Sequence, residues 1–168
     1  MTVPDYWNHI TYVVPPKNLG RIEECIDTLF GWKTYAKREG VLGYHLHPDF
    51  RKGLIFFQGA NWAEALDEAI SRLEQTDAQL AEGLRLREQG GPDNSDHNGF
   101  RVDTMAEWER RLAVAKKVER ERPDFQLKVG VRWPKADAPI KVYQCFCRIG
   151  LLGPIRNTIE MQCVVGSP

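Results

Sequence analysis

The sequence lacks a charge surplus of either sign, because 23 Lys and Arg stand against 23 Asp and Glu. The basic excess of a nucleic-acid binder is therefore missing, and no nucleic-acid partner is expected. No apolar run approaches the roughly 20 residues that a membrane helix needs, so no membrane partner is expected either. The opening stretch Met1 to Trp7 has neither the basic start nor the apolar core of a signal peptide, which makes the cytoplasm the expected compartment. Cysteine is scarce, with Cys25, Cys145, Cys147 and Cys163 and no Cys-x-x-Cys pair among them. That excludes the usual zinc-finger spacings, and in a reducing compartment the four read as buried or half-buried thiols. Cys145 and Cys147, two apart in an extended stretch, share a face and are poorly placed to bridge each other. Histidine is equally rare, with four in 168 residues.

What remains is an ordinary globular composition, 42% hydrophobic and 27% charged. The length suits one core, or two half-domains that share one. Residues 6–14 are β-branched and aromatic until Pro15-Pro16 stops them, which predicts a strand. Asn18 then caps a predicted helix carrying Leu19, Ile22, Ile26, Leu29 and Phe30 at helical spacing, with Gly31 as its end. Three short strands follow at 32–38, 43–47 and 53–58, separated by Gly40, Pro48-Asp49 and Gly53.

The last seventy or so residues repeat that order. A strand at 98–102 carries His97 at its mouth, and Thr104 caps a helix through Met105, Trp108, Leu112, Ala115 and Val118 that halts near Pro123. Strands at 125–133, 140–149 and 158–165 complete the second copy. Between the copies, Leu66, Ile70, Leu73, Leu80, Leu84 and Leu86 predict one or two amphipathic helices, and residues 89–95 a loop. The expected class is therefore α+β, with a βαβββ module at 1–60, a helical linker at 61–94 and a second βαβββ module at 95–168.

Two of the histidines, His9 and His97, open the first strand of each copy. Glu160 lies in the last strand among Ile159, Met161, Cys163 and Val164, where a carboxylate is costly to bury unless it is paired or bound to a metal. Strand alternation puts Glu160 on one face with Thr158 and Gln162, and Ile159, Met161 and Cys163 on the other. Gln144 and Arg148 share a face of the preceding strand, a candidate surface for a substrate oxyanion. His45 and His47 form a His-x-His pair on a short strand, read as a solvated edge rather than a chelating pair. The charges from Glu107 to Arg122 read as a solvated helix face.

Asn8-His9-Ile10, Leu29-Phe30-Gly31-Trp32, the strand Gly53 to Gln58, His97 and Ile159-Glu160-Met161 together resemble the vicinal oxygen chelate superfamily. That group contains glyoxalase I, bleomycin-resistance proteins and extradiol dioxygenases. The resemblance implies two modules that each curl into half a barrel, with metal ligands on the first and last strands. Carried over, it implies His9, His97 and Glu160 as ligands of one divalent ion, iron in the first place, with zinc, nickel or manganese as the others. Aligning the two last strands puts Phe56 in the place of Glu160, where glyoxalase I members usually carry a Glu or Gln. Three ligands then remain, the composition of a facial triad; a shift of two residues would instead offer Gln58 as a neutral donor. Phe56, Gln58, Gln144, Arg148 and Gln162 are the expected substrate-binding residues, and no general base stands out among Gln58, Tyr143 and Gln162. The implied function is a dioxygenase or a lyase or isomerase acting on a small oxygen-chelating substrate, with a homodimer as the expected assembly. The alternative is a metal-free protein that sequesters an aromatic antibiotic or metabolite.

Overall fold

A computed structural model describes residues 9–46, 53–94, 96–153 and 158–166. The first run of elements is β1 (His9–Val14), α1 (Leu19–Phe30), β2 (Lys33–Arg38), β3 (Val41–His45) and β4 (Leu54–Gly59). Helices α2 (Asn61–Glu74) and α3 (Ala78–Gln89) follow, then a 3-10 turn at Pro92–Asn94. The second run is β5 (His97–Arg101), α4 (Met105–Glu121), β6 (Leu127–Arg132), β7 (Lys141–Ile149) and β8 (Thr158–Val165). The sheets are ordered β1-β4-β3-β2 and β5-β8-β7-β6. In each, the first and last strands pair in parallel and the others antiparallel. The two expected βαβββ modules are thus present, and each is wound in the same order.

Local chemistry accounts for the elements. Along α1 the residues Ile22, Cys25, Ile26, Leu29 and Phe30 fall on one buried stripe. Gly31, at φ +58°, closes that helix by giving its N–H to the Asp27 carbonyl at 3.0 Å, a conformation that costs a side-chain-bearing residue more than glycine. In α4 the Thr104 hydroxyl accepts the Glu107 backbone N–H at 3.2 Å, satisfying one of the orphan donors of the first turn. Asn18 departs from its expected capping role. It stands at the start of α1, but its side chain donates to the Leu151 carbonyl at 3.0 Å, so it ties the first module to the second.

Helices α1 and α4 cover the same face of their respective sheets and pack on each other. Beneath them Tyr12, Val14, Ile55 and Phe57 of the first sheet join Cys145, Cys147, Ile159 and Met161 of the second in a single buried cluster. Phe30 stacks on Trp32 at 4.3 Å, and Trp32 meets Phe100 of β5 edge-on at 5.0 Å, which carries the core across the module boundary. Each such buried ring stabilises the fold by about 1.5–3 kcal/mol.

The insertion is less buried than its apolar periodicity predicts. Leu66, Leu73 and Leu86 remain 45%, 52% and 53% exposed, and of α2 and α3 together only Ala63 is fully buried. The two helices meet each other, and α2 alone packs along the edge strand β1, so most of their apolar side chains have no sheet face to cover. Among the described residues no helix is long and apolar enough to cross a membrane.

Candidate functional site

Strand alternation turns the remaining residues of each sheet to the face away from the helices, and the register makes these two faces correspond residue by residue. In the first sheet, Thr11 pairs with Phe56, Phe56 with Gly43 and Gly43 with Ala36. In the second, Gly99 pairs with Glu160, Glu160 with Phe146 and Phe146 with Gly130. Thr11 lies two residues after His9, and Gly99 two residues after His97. Phe56 therefore occupies in the first module the position that Glu160 occupies in the second. One pair further along, Val13, Gln58, Val41 and Arg38 correspond to Arg101, Gln162, Gln144 and Arg132.

Glu160 is the centre of the second face. It is 2% exposed, and three donors surround its carboxylate. Gln144 Nε2 and Gln162 Nε2 both donate to Oε1, at 2.6 and 2.7 Å. His97 Nε2 stands 3.2 Å from Oε2. Gly99 makes room for this group, since a Cβ there would lie 3.1 Å from Oε2. The His97 ring also meets the edge of Phe146 at 5.2 Å, which limits how it turns.

The first face is aromatic instead. His9 is exposed at the start of β1 and meets Phe56 edge-on at 5.9 Å. Phe56 lies over Gly43, where a Cβ would come within 2.7 Å of its ring. A register irregularity between Thr34 and Ala36 brings the Tyr35 ring within 6.0 Å of Phe56. Thr11, Tyr35, Ala36, Arg38, Val41, Phe56 and Gln58 line a cavity of about 610 Å³. His45 is half-buried against Tyr35 at a ring distance of 5.1 Å rather than solvated, and His47 lies outside the described residues.

On the helix-covered side the two sheets are joined where Tyr12 of β1 meets β5 and β8. The Tyr12 hydroxyl accepts from Asn98 Nδ2 at 3.1 Å and donates to the Thr158 carbonyl at 3.4 Å. Burial raises the Tyr12 phenol above its ordinary value, with the Asn98 bond acting in the opposite direction.

Of the residues expected in the site, His97, Glu160, Gln144 and Gln162 are brought together, whereas His9, Phe56 and Gln58 share the other module's face. Arg148 takes a different place: its Nη2 donates to the Arg87 carbonyl at 3.3 Å and to the Gly91 carbonyl. That contact ties the end of α3 to the sheet. The cavity residues Tyr35 and Arg38 escaped sequence reasoning, although a row-by-row alignment of the modules would have set Arg38 beside Arg132.

The donor chemistry fits a divalent ion in part. His97 Nε2 and Glu160 Oε2 are separated by a distance suited to neighbouring ligands whose bonds to one ion are about 2.0–2.2 Å. Among the described residues, however, no three His, Cys, Asp or Glu side chains are gathered as an ion would require, because His9 is not drawn in.

No family model and no curated protein matches the sequence. Among solved structures, the chain is similar to a glyoxalase/bleomycin resistance protein/dioxygenase from Alicyclobacillus acidocaldarius, at 11% identity and a TM-score of 0.47, over 97% of this chain and 94% of that one. A protein of the same description from Nocardioides gives 14% identity and a TM-score of 0.43 over 99% and 89%. An integron cassette protein of V. cholerae gives 12% and 0.46 over 97% and 98%. The strand order itself gives the chain two βαβββ modules, each with its first strand paired to its last.

Proposed function

We propose that the chain is a metal-dependent enzyme of the vicinal oxygen chelate type, a dioxygenase or a lyase or isomerase, acting on a small substrate with two neighbouring oxygens. The observation that carries this reading is the buried Glu160 carboxylate, with Oε1 fixed by two glutamine amides and Oε2 beside His97 Nε2. Amide donors on the far oxygen are the outer contacts that orient a ligating carboxylate. His9, at the matching position of the other module, is the proposed third donor, and its exposed side chain has room to turn. A divalent ion held there, iron or else zinc, nickel or manganese, would supply Lewis acidity or oxygen activation. Phe56 and Gln58 are the proposed substrate contacts, Gln144 and Gln162 act through Glu160, and Arg148 acts through the chain turn that it anchors. A homodimer in the cytoplasm goes with this reading, on the strength of the family resemblance.

Elemental analysis of the purified protein tests it. About one ion per chain is expected, lost in Glu160→Ala, His97→Ala and His9→Ala while circular dichroism stays unchanged. Full occupancy in His97→Ala would remove that residue from the ligand set. The second reading, a metal-free protein that sequesters an aromatic metabolite or antibiotic, is favoured by one observation. Glu160 already has three donors around it without an ion. Wild-type protein that stays empty after dialysis against each of the four metals would decide for it.

A further inference from the structure

The two faces match position for position, yet a turn of the chain covers one of them, whereas among the described residues no segment covers the other. On the second sheet, the turn at Pro92–Asn94 crosses β6. The Pro92 ring rests on Gly130, where a Cβ would lie 3.2 Å from Pro92 Cδ. The next residue, Asp93, accepts at Oδ2 from Arg132 Nη2 at 3.0 Å, and the Arg132 guanidinium lies 5.7 Å from the Phe146 ring. A compact apolar ring followed by a carboxylate thus occupies the positions of Gly130 and Arg132.

The corresponding positions on the first sheet are Ala36 and Arg38. Here no segment of the described chain crosses the face, and the cavity of about 610 Å³ lies over these two residues. Its volume is within the range of small-molecule pockets. Phe56 and Tyr35, set at 81° to one another, form an aromatic corner beside Ala36. Thr11 and Gln58 add a hydroxyl and an amide. Among the described residues no carboxylate is paired with Arg38 as Asp93 is with Arg132.

We propose that this cavity binds a small carboxylic acid with an aromatic ring, the carboxylate on Arg38 and the ring over Ala36 between Tyr35 and Phe56. On the second sheet, Pro92 over Gly130 and Asp93 on Arg132 already place a ring and a carboxylate at the two corresponding positions. A guanidinium recognises a carboxylate by charge-assisted hydrogen bonds, and an aromatic corner prefers a flat ring presented edge to face. The inference deepens the proposed function by naming the substrate class. It rests on that reading only for the fate of the ligand, not for its binding.

The test is calorimetric titration of the full chain with benzoate, with its neutral isostere benzamide, and with acetate, all at one ionic strength and in the presence of a chelator. The chelator ensures that a carboxylate held by an ion is not mistaken for one held by Arg38. Benzoate is expected to bind about tenfold more tightly than benzamide, as a charged hydrogen bond at a half-open site allows. Acetate, with no ring, is expected to bind more weakly than either. Arg38→Gln should erase the preference for benzoate while keeping benzamide affinity. Tyr35→Ala should weaken both ligands and keep their ratio. Equal binding of benzoate and benzamide by the wild type would overturn the proposal, as would a preference that survives Arg38→Gln. Metal content of the same samples before chelation separates the two readings. A benzoate preference in a protein that never holds an ion retains this inference and removes the metal enzyme, and the reverse result does the opposite.

Discussion

Gly99 faces Glu160 across the parallel ladder of β5 and β8, and a Cβ at position 99 would stand 3.1 Å from Oε2. That separation is short for a methyl group, and the carboxylate is held from its other side by two glutamines. Gly99→Ala is therefore expected to cost about 1 kcal/mol in urea unfolding, since overpacking outweighs the gain in strand propensity. It should also disturb the spacing of Glu160 and His97. An unchanged unfolding midpoint would mean that Glu160 relaxes freely and that its position is not fixed by its neighbours.

Arg148 is almost fully buried, and its Nη2 bridges the carbonyls of Arg87 and Gly91. Arg148→Met keeps much of the packing but removes these donors, leaving the end of α3 without its link to β7. A loss of about 1.5–3 kcal/mol is expected, the range for hydrogen bonds from a charged group. Amide exchange over 87–94 should rise well beyond the change elsewhere. Uniform acceleration across the chain would show that Arg148 supports the whole fold rather than this turn.

Much of the architecture was readable because its signals are local. The apolar stripe of α1, Gly31 as its stop, the Thr104 cap and the strand at 158–165 all depend on neighbours in sequence, and the structure contains each of them. The face that Glu160 shares with Gln162 was equally legible from alternation, because a strand has a period of two, whereas the place of Gln144 beside Glu160 depends on the register of β7 with β8. What stayed hidden depends on long-range register. Nothing near Pro92 or Asp93 shows that they will lie on Gly130 and Arg132, and nothing near Arg38 shows that its counterpart is already engaged. Asn18 shows the same limit, for its capping signal is genuine but a carbonyl 133 residues away takes its side chain.

Glu107 should contribute to the loss of stability in acid. Arg110 and then Arg111 hold its carboxyl down to about 2 from an ordinary 4.5. A carboxylate whose folded value is depressed contributes stability that is present above pH 4.5 and lost as the pH falls towards 2. The pair is one-third exposed on the Glu107 side, so the contribution is below about 1 kcal/mol. Glu107→Gln should flatten the fall in stability between these two pH values and leave the acid-side slope of other carboxylates in place. Identical pH profiles for the two proteins would show that solvent screening removes the effect.

The thiols should be inert in the native state. Burial pushes Cys25 up to about 12 and also raises Cys163, while the hydrogen bond that the Cys147 thiol shares with Cys145, together with burial, raises Cys147 well above its ordinary value. All four cysteines are free and buried. A disulfide reagent at pH 8 is expected to react with none of them until denaturant is added, because the attacking species is the thiolate. Rapid reaction of one thiol in native protein would reveal a local opening of the shared core.

Phe56 provides the sharpest test of the site, because it stands in the first module where Glu160 stands in the second. Its ring fills the space over Gly43 and meets His9 edge-on. Phe56→Glu removes that packing, at an expected cost of about 1–3 kcal/mol, and introduces an oxygen donor on the His9 side. If His9, His97 and Glu160 hold one ion, as proposed, the new carboxylate should tighten metal binding about tenfold in a competition titration. It should also weaken oxygen uptake with catechols, because a fourth protein ligand takes a position that substrate or oxygen would use. Phe56→Leu, which loses the ring but adds no donor, separates the two effects: its stability should fall similarly while its metal affinity stays at the wild-type value. Equal affinity in Phe56→Glu and Phe56→Leu would show that position 56 does not face the ion, and the search for a further donor would then move one pair along to Gln58.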